Sequence, residues 1–331
     1  MTTFGFQLPN FDYGTPDAEM FAGAVARVRA AEAAGFESVW VMDHFYQLPP
    51  LGGAPAPMLE AYTLLGALAA VTERVQLGTL VTGVTYRNPA MLAKQVTTLD
   101  IISKGRAILG IGAAWHDIEH VGLGFDFPSV GERMDRLEEA LQICRAMFTE
   151  SAPSFDGRHY HTREVRNVPQ PLRGDIPIMV GGGGEKRTLK LVAQYAQLCN
   201  VSGDVATIRH KLAVLRGHCD AIGRDPNEIT TTRLASLFLT SSPDETAGTK
   251  EFIVSAAGPE ALTGFNIGQP AELVAQVEEL IAAGLDTLIF NIPFGAPDTV
   301  TQVGELLVST FGEGRARLGS TQRTDARRDD Q

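Results

Sequence analysis

The stretch ILGIGAAWHDIEH (residues 108–120) admits three interpretations, and the choice among them decides the fold. Its glycines match half of a dinucleotide-binding fingerprint. Its second half, His116-Asp-Ile-Glu119-His120, fits the H-x-x-E-H pattern of some zinc proteases. The third interpretation is a β-strand that ends in a loop at the rim of a larger sheet.

Two features of the same stretch weaken the first two interpretations. Trp115 stands where the fingerprint needs its last glycine, and the unit is the fourth along the chain rather than the first. A zinc site needs both histidines on one helical turn, but Gly122 and Gly124 shorten any helix here. A strand followed by a rim loop is therefore favoured, with Trp115 either in the wall of a pocket or in the core.

Outward from this stretch, apolar runs alternate regularly with amphipathic segments. The runs typical of strands cover residues 4–8, 38–42, 75–81, 106–112, 176–184, 198–203, 230–240 and 286–292. The segments typical of helices cover residues 17–34, 60–71, 88–103, 131–148, 185–196, 205–222, 269–283 and 297–311. Eight strand–helix units predict an α/β fold, a (β/α)8 TIM barrel with insertions. An open doubly wound sheet is the alternative, and the strand count favours the barrel.

The chain contains no segment typical of a linker between domains. We expect one barrel domain over residues 1–311, with insertions near 111–131, 151–175 and 241–269. The second insertion, with its Pro, Gly and FDGRHYHTREV, is typical of a small hairpin. Residues 312–331 are polar and mixed in charge, which predicts a disordered tail.

The charge and cysteine content exclude several classes of protein. The formal net charge of −11 repels phosphate backbones and anionic membranes, so we expect no nucleic-acid or membrane partner. Cys144, Cys199 and Cys219 form no C-x-x-C pair and are expected to be buried. Without a signal-peptide pattern or a long apolar span, a cytoplasmic location is expected.

Active sites of TIM barrels lie at the carboxyl ends of the strands, so the residues that follow each strand are the candidates. His44 follows Asp43 directly after the second strand. It is a candidate proton donor or acceptor at neutral pH, and a structural histidine is the alternative. Few carboxylates and no nucleophile triad follow the other strands.

The run Gly181–Gly184 is the strongest local signal in the sequence. Four glycines between a strand and a helix expose backbone N–H groups that suit a phosphate, and the adjacent Lys186 and Arg187 add positive charge. A tight turn is the alternative, although two glycines would suffice for a turn.

Four segments together are similar to the luciferase-like monooxygenase superfamily, in particular to its branch that uses the deazaflavin coenzyme F420. They are SVWVMDHF (38–45), LGTLVTGVTYRNPAMLAKQVTTLD (77–100), GRAILGIGAAWHDIEHVGLGFDFPSVGERMDRLEEALQI (105–143) and PIMVGGGGEKRTLKLVAQYA (177–196). The similarity covers most of residues 4–311. It implies a barrel that holds the coenzyme across the strand ends, and a cis peptide bond between Leu80 and Val81.

The resemblance also implies a set of site residues. His44 is the expected catalytic residue, with no metal. The expected cofactor-binding residues are Asp43, Leu80, Val81, Thr82, Gly112, Ala113, Gly181, Gly182, Gly183 and Gly184. The expected substrate-pocket residues are Phe11, Phe45, Trp115 and Asn291.

The activity implied by the resemblance is hydride transfer between coenzyme F420 and a small organic substrate, in a homodimer. An FMN-dependent monooxygenase on the same fold is the alternative. A zinc hydrolase using His116, Glu119 and His120, and a cofactor-binding relative without catalytic activity, are more distant alternatives.

Overall fold

The computed structural model of the chain describes residues 2–312 and contains a closed barrel of eight parallel strands. In chain order the strands are β1 Thr3–Leu8, β2 Ser38–Val41, β3 Gln76–Thr79, β4 Thr82–Gly83, β5 Ala107–Gly112, β6 Phe155–Asp156, β7 His161–Thr162, β8 Ile178–Gly181, β9 Leu198–Asn200, β10 Thr230–Leu239, β11 Phe265–Gly268 and β12 Thr287–Asn291. Parallel pairing runs β1–β2–β3–β5–β8–β9–β10–β12 and returns to β1. The predicted TIM barrel is confirmed, and the open sheet is wrong.

Helices surround the barrel and cover the outer face of its strands. They are α1 Met20–Ala34, α2 Ala61–Val71, α3 Pro89–Ile102, α4 Asp117–Leu123, α5 Val130–Thr149, α6 Thr188–Tyr195, α7 Val205–Ile222, α8 Pro243–Ala257, α9 Pro270–Ala282 and α10 Pro297–Phe311. Most lie within three residues of the predicted bounds. The predicted burial of all three cysteines is confirmed.

The inside of the barrel is filled by large side chains from several strands. Trp40, Ile108, Met179 and Ile289 form this inner core, and all are at most 3% exposed. The large ring of Trp40 fits inside the barrel because a neighbouring position is glycine. A Cβ atom at Gly78 would lie 2.9 Å from the indole ring of Trp40 and would crowd it.

Two predicted insertions carry more regular structure than the sequence indicated. Region 111–131, which we expected to be a loop, contains α4, and its helix ends at Gly124 in the left-handed conformation, with φ of 72°. Region 241–269 contains α8 and β11. Strand β11 pairs with the last residues of β10, beyond the point where β10 pairs with β12. The hairpin predicted within 151–175 is confirmed as β6 and β7.

Two further expectations concern the third strand and the chain end. The strand is interrupted between β3 and β4, where the Leu80–Val81 peptide bond is cis, as the resemblance implied. The predicted tail lies outside the described residues, apart from Gly312. Within residues 2–312, no helix is both long enough and apolar enough to cross a membrane.

Candidate functional site

A cavity of about 390 Å³ opens at the carboxyl ends of the strands, and we call it the glycine cleft. It brings together most of the residues predicted to bind a cofactor. Its lining includes Asp43, His44, Leu80, Val81, Thr82, Gly112, Ala113, Trp115, Gly181 and Gly182. Backbone and small side chains dominate the floor, which leaves room for a flat group close to the chain.

A second and larger cavity of about 1230 Å³ adjoins the first, and we call it the apolar cleft. Its wall is built by the ends of β1, β10 and β12, by the turn at 48–51 and by α8. Four residues line both cavities: His44, Leu80, Trp115 and Leu234. A ligand in one cleft therefore meets a ligand in the other at this shared boundary.

His44 is held at the boundary by a carboxylate from the fourth helix. Its Nδ1 lies 2.7 Å from Oε1 of Glu119, which is fully buried in α4. The backbone N–H of Phe45 donates to Oε2 of Glu119 at 2.7 Å, and the Tyr86 hydroxyl donates to Oε1. The carboxylate is thus surrounded by donors.

These donors keep Glu119 ionised, and they decide which nitrogen of a neutral His44 ring carries the hydrogen. Burial alone would raise the pKa of Glu119, but the hydrogen bonds from His44, Tyr86 and Phe45 lower it to about 2. Because Glu119 is ionised at neutral pH and can only accept, Nδ1 of His44 must carry a hydrogen. In the neutral imidazole, Nε2 is then the nitrogen with the free lone pair. His44 can accept a proton at Nε2 and return it.

The side chain of Asp43 is held in position by hydrogen bonds from Arg87. Arg87 donates to both carboxylate oxygens of Asp43, at 2.6 and 3.0 Å, and also to Glu60 at 2.6 Å. Burial raises the pKa of Asp43, and the Arg87 guanidinium opposes that rise. Both oxygens of Asp43 are already used, so its side chain contributes shape to the glycine cleft rather than free acceptors.

The glycine run lies at the edge of the glycine cleft, and only part of it reaches the lining. Gly181 and Gly182 line the cavity, together with Thr188 from α6, whereas Gly183 and Gly184 lie beyond it. The N–H of Gly182 donates to Asn200, but among the described residues no acceptor is in range of the N–H groups of Gly183 and Gly184.

The helix after this run begins later than the sequence predicted. It starts at Thr188 rather than at Glu185, because Gly184 accepts from Leu189 across a wider turn than an α-helix allows. Arg187, expected to add positive charge for a phosphate, instead pairs with Asp135 at 2.6 Å. Of the two residues expected to add positive charge for a phosphate, this leaves Lys186.

The four predicted substrate residues are divided by the structure. Trp115, 63% exposed, lines both clefts, and Asn291 lines the apolar cleft. Phe11 is 2% exposed and packs in the core instead. Phe45 contacts the ring of Tyr86, at 5.1 Å between centroids, and lines neither cleft. Both phenylalanines follow strand ends, but neither side chain lines a cleft.

Several functional residues escaped the sequence analysis. Glu119 was not predicted as a partner of His44, and the contact between them joins residues 75 positions apart. Tyr86 and Asn200 line the glycine cleft, and Gln7 lines the apolar cleft. A polar residue at a strand end, as Gln7 and Asn200 are, was the available signal.

The zinc alternative is not supported by the geometry. His120 has both ring nitrogens engaged, Nδ1 with the carbonyl of His116 and Nε2 with Thr85, each at 2.7 Å. Glu119 faces His44 instead. Across residues 2–312, no three His, Cys, Asp or Glu side chains are grouped to hold a metal ion.

Comparison with known proteins places the chain in a family. The family model described as luciferase-like monooxygenase matches residues 2–253. An uncharacterised protein of Mycobacterium tuberculosis is 29% identical over 270 residues, which cover 78% of this chain and 92% of that protein. The F420-dependent glucose-6-phosphate dehydrogenase of Nocardia farcinica is 31% identical over 301 residues, covering 80% of this chain and 85% of the relative.

A solved structure agrees with the fold. A riboflavin lyase, solved with a modified FMN and its substrate riboflavin, superposes with a TM-score of 0.79 at 15% identity, covering 95% of this chain and 92% of the other. At this identity the likeness concerns the fold alone, whereas the family model matches more than half of the chain. The chain therefore belongs to the luciferase-like monooxygenase family.

Proposed function

We propose that the protein is an oxidoreductase that transfers a hydride between coenzyme F420 and an organic substrate. One observation carries the proposal: His44, with Nδ1 bonded to the buried Glu119, lies on the boundary between the two clefts. A proton acceptor is needed where a cofactor and a substrate meet. The Nocardia relative, named as F420-dependent, supports the choice of coenzyme.

The glycine cleft fits such a coenzyme. Its floor, from Leu80 to Gly83 and from Gly112 to Ala114, offers backbone and small side chains to a flat ring. The N–H groups of Gly183 and Gly184, without acceptors among the described residues, suit an anionic tail at the cleft edge. When bound, the coenzyme supplies a deazaflavin ring that gives or takes a hydride.

The chain itself manages the proton that accompanies the hydride. In alcohol oxidation, Nε2 of His44 accepts the hydroxyl proton, and the imidazolium formed is stabilised by the Glu119 carboxylate at 2.7 Å. In carbonyl reduction the same nitrogen donates. Trp115 packs edge-on to the His44 ring, at 5.6 Å between centroids.

The first experiment measures which cofactor the protein binds. The purified protein, freed of cofactor, is titrated with coenzyme F420 and separately with FMN, and melting temperature and ring absorbance are followed. We expect F420 to bind more tightly. Tighter binding of FMN would favour the monooxygenase alternative, and no response to either would refute the proposal. Analytical ultracentrifugation of the same sample tests whether the protein forms the expected homodimer.

The second experiment tests the role of His44. We expect His44→Ala to bind the coenzyme as wild type does and to lose at least about 100-fold in kcat, the usual contribution of a general acid–base group. His161→Ala is the matched control, because His161 lies 65% exposed on the β6–β7 hairpin, away from both clefts. Equal turnover by the two variants would contradict the assignment of His44.

A further inference from the structure

The wall of the apolar cleft formed by α8 presents one continuous face. Gly248, Phe252 and Ala256 are spaced by four residues, so they share one side of the helix. Thr249, Ile253 and Ala257 form the adjacent row of the same lining. Small residues in both rows keep the cleft wide, and the larger ones make its surface apolar.

Charge is nearly absent from this lining. Of the residues that line the apolar cleft, only His44 and Glu245 have ionisable side chains, and none is a lysine or an arginine. The Glu245 carboxylate accepts from the N–H and Oγ of Ser241, at 2.7 and 2.6 Å. A phosphate bound here would meet a carboxylate and no cation, so its desolvation would be uncompensated.

The size and rim of the apolar cleft suit a large apolar molecule. Its volume of about 1230 Å³ exceeds the roughly 300–1,000 Å³ of ordinary small-molecule pockets. Phe252 and Phe294, 72% and 60% exposed, stand at its lip. Exposed aromatic rings beside an apolar cleft mark a site for a hydrophobic partner.

The polar groups at the floor of the cleft are directed at one another or at the protein, apart from His44. Gln7 Nε2 donates to the Leu80 carbonyl, so Gln7 Oε1 must accept from Asn291 Nδ2, at 3.2 Å. This order leaves Asn291 Oδ1 as an acceptor, and within the described structure it is buried without a partner. This oxygen is closed off from the open space of the cleft, so it is no partner for a ligand. His44, which lines the cleft at its boundary with the glycine cleft, is placed to accept a hydrogen bond from a hydroxyl group of the substrate.

We infer that the apolar cleft binds the organic substrate, and that this substrate is an uncharged, largely apolar molecule carrying a hydroxyl group. The inference rests on the proposed function, because it takes the glycine cleft as the coenzyme site. It separates this chain from an enzyme for a phosphorylated sugar, such as the Nocardia relative is named to be.

The test measures binding to the protein saturated with reduced coenzyme F420, so that alcohols bind without being oxidised. Calorimetry compares a series of methyl carbinols of increasing chain length with glucose 6-phosphate. We expect Kd to fall about four-fold per added methylene, as burial of each CH₂ predicts, and glucose 6-phosphate not to bind. Affinity independent of chain length, or tighter binding of glucose 6-phosphate, would overturn the inference.

Binding of the coenzyme is measured separately on the same sample. A change in ring absorbance on mixing reports coenzyme binding before any alcohol is added. If the ring responds and the alcohols fail, the proposed function stands and the substrate inference falls. If the ring does not respond, the proposed function falls, and the alcohol series is then measured on the protein alone.

Two matched glycine variants locate the binding site. At Gly248 and at Gly217, each within a helix, an added Cβ would meet no atom within 4 Å, so a side chain can leave the helix at either position without a clash at its first atom. Gly248 lines the apolar cleft, whereas Gly217 lies on the exposed face of α7. We expect Gly248→Leu to weaken binding of the longest alcohol at least ten-fold and Gly217→Leu to leave it unchanged. Equal affinities would place the alcohol outside the apolar cleft.

Discussion

Glu119→Gln replaces the group on which the geometry of the candidate site depends. The carboxylate accepts from the His44 ring, the Phe45 N–H and the Tyr86 hydroxyl. Glutamine keeps the volume and one carbonyl oxygen, but its NH₂ group faces donors instead of accepting from them. The variant therefore leaves buried donors without an acceptor, which is more costly than removing the whole cluster.

The expected magnitude follows from the electrostatics of this carboxylate. Its pKa falls from 4.5 to about 2 on folding, although burial works against the fall. That difference corresponds to about 3 kcal/mol of folding stability at neutral pH. For a chain of this size we expect Glu119→Gln to melt roughly 5–10 °C lower than wild type.

Urea unfolding as a function of pH tests the electrostatic origin of the loss. A group whose pKa is depressed by folding stabilises the protein fully above its unfolded pKa, here 4.5, and loses that contribution as pH falls toward 2. The stability difference between wild type and Glu119→Gln should thus narrow as the pH falls from about 5 toward 2.

A matched control separates this effect from the general loss of a negative charge. Glu278 lies exposed on α9, and Glu278→Gln should change stability by less than about 0.5 kcal/mol at every pH. If Glu119→Gln is as stable as wild type, or if its deficit is the same at pH 3 as at pH 5, the assigned role of the carboxylate is wrong.

Four further outcomes are expected from other parts of the structure. Arg87→Met leaves the buried carboxylate of Asp43 unpaired and should lower the free energy of unfolding by about 3–5 kcal/mol in urea titrations. A Cβ atom at Gly110 would overlap the backbone of the third strand, so Gly110→Ala should lose about 3 kcal/mol or more. Gly66→Ala, where a Cβ meets open space in α2, should instead gain about 0.5–1 kcal/mol. Burial raises the pKa of Cys144 to about 12, and all three cysteines are buried, so a thiol reagent should label the protein only after denaturation.

The barrel was predictable because its signals are local. Apolar runs of strand length alternate with helical periodicity, and caps such as Asn88-Pro89 mark where α3 begins. Residues directly after a strand were predicted as candidates, and His44 lies at the boundary of the two clefts as that rule expects. Fold class and the approximate position of the site follow from spacing alone.

The direction of individual side chains did not follow from spacing. Phe11 and His44 both come after a strand, but one packs in the core and the other lines both clefts. The contact of His44 with Glu119 joins residues 75 positions apart in the sequence, and no local pattern encodes it. The H-x-x-E-H spacing drew attention to the correct glutamate for the wrong chemistry, since a helix displays the same spacing whichever partner its carboxylate meets.

The tenth strand has a consequence for how new specificities arise. Its first residues close the barrel, while its last residues leave the barrel and carry β11 and the helix before it. The segment 241–268 thus lies between β10 and α9 and contributes no residue to the lining of the glycine cleft. Substitutions confined to this segment should therefore reshape the apolar cleft and leave the lining of the glycine cleft unchanged, so that the two clefts can be altered independently.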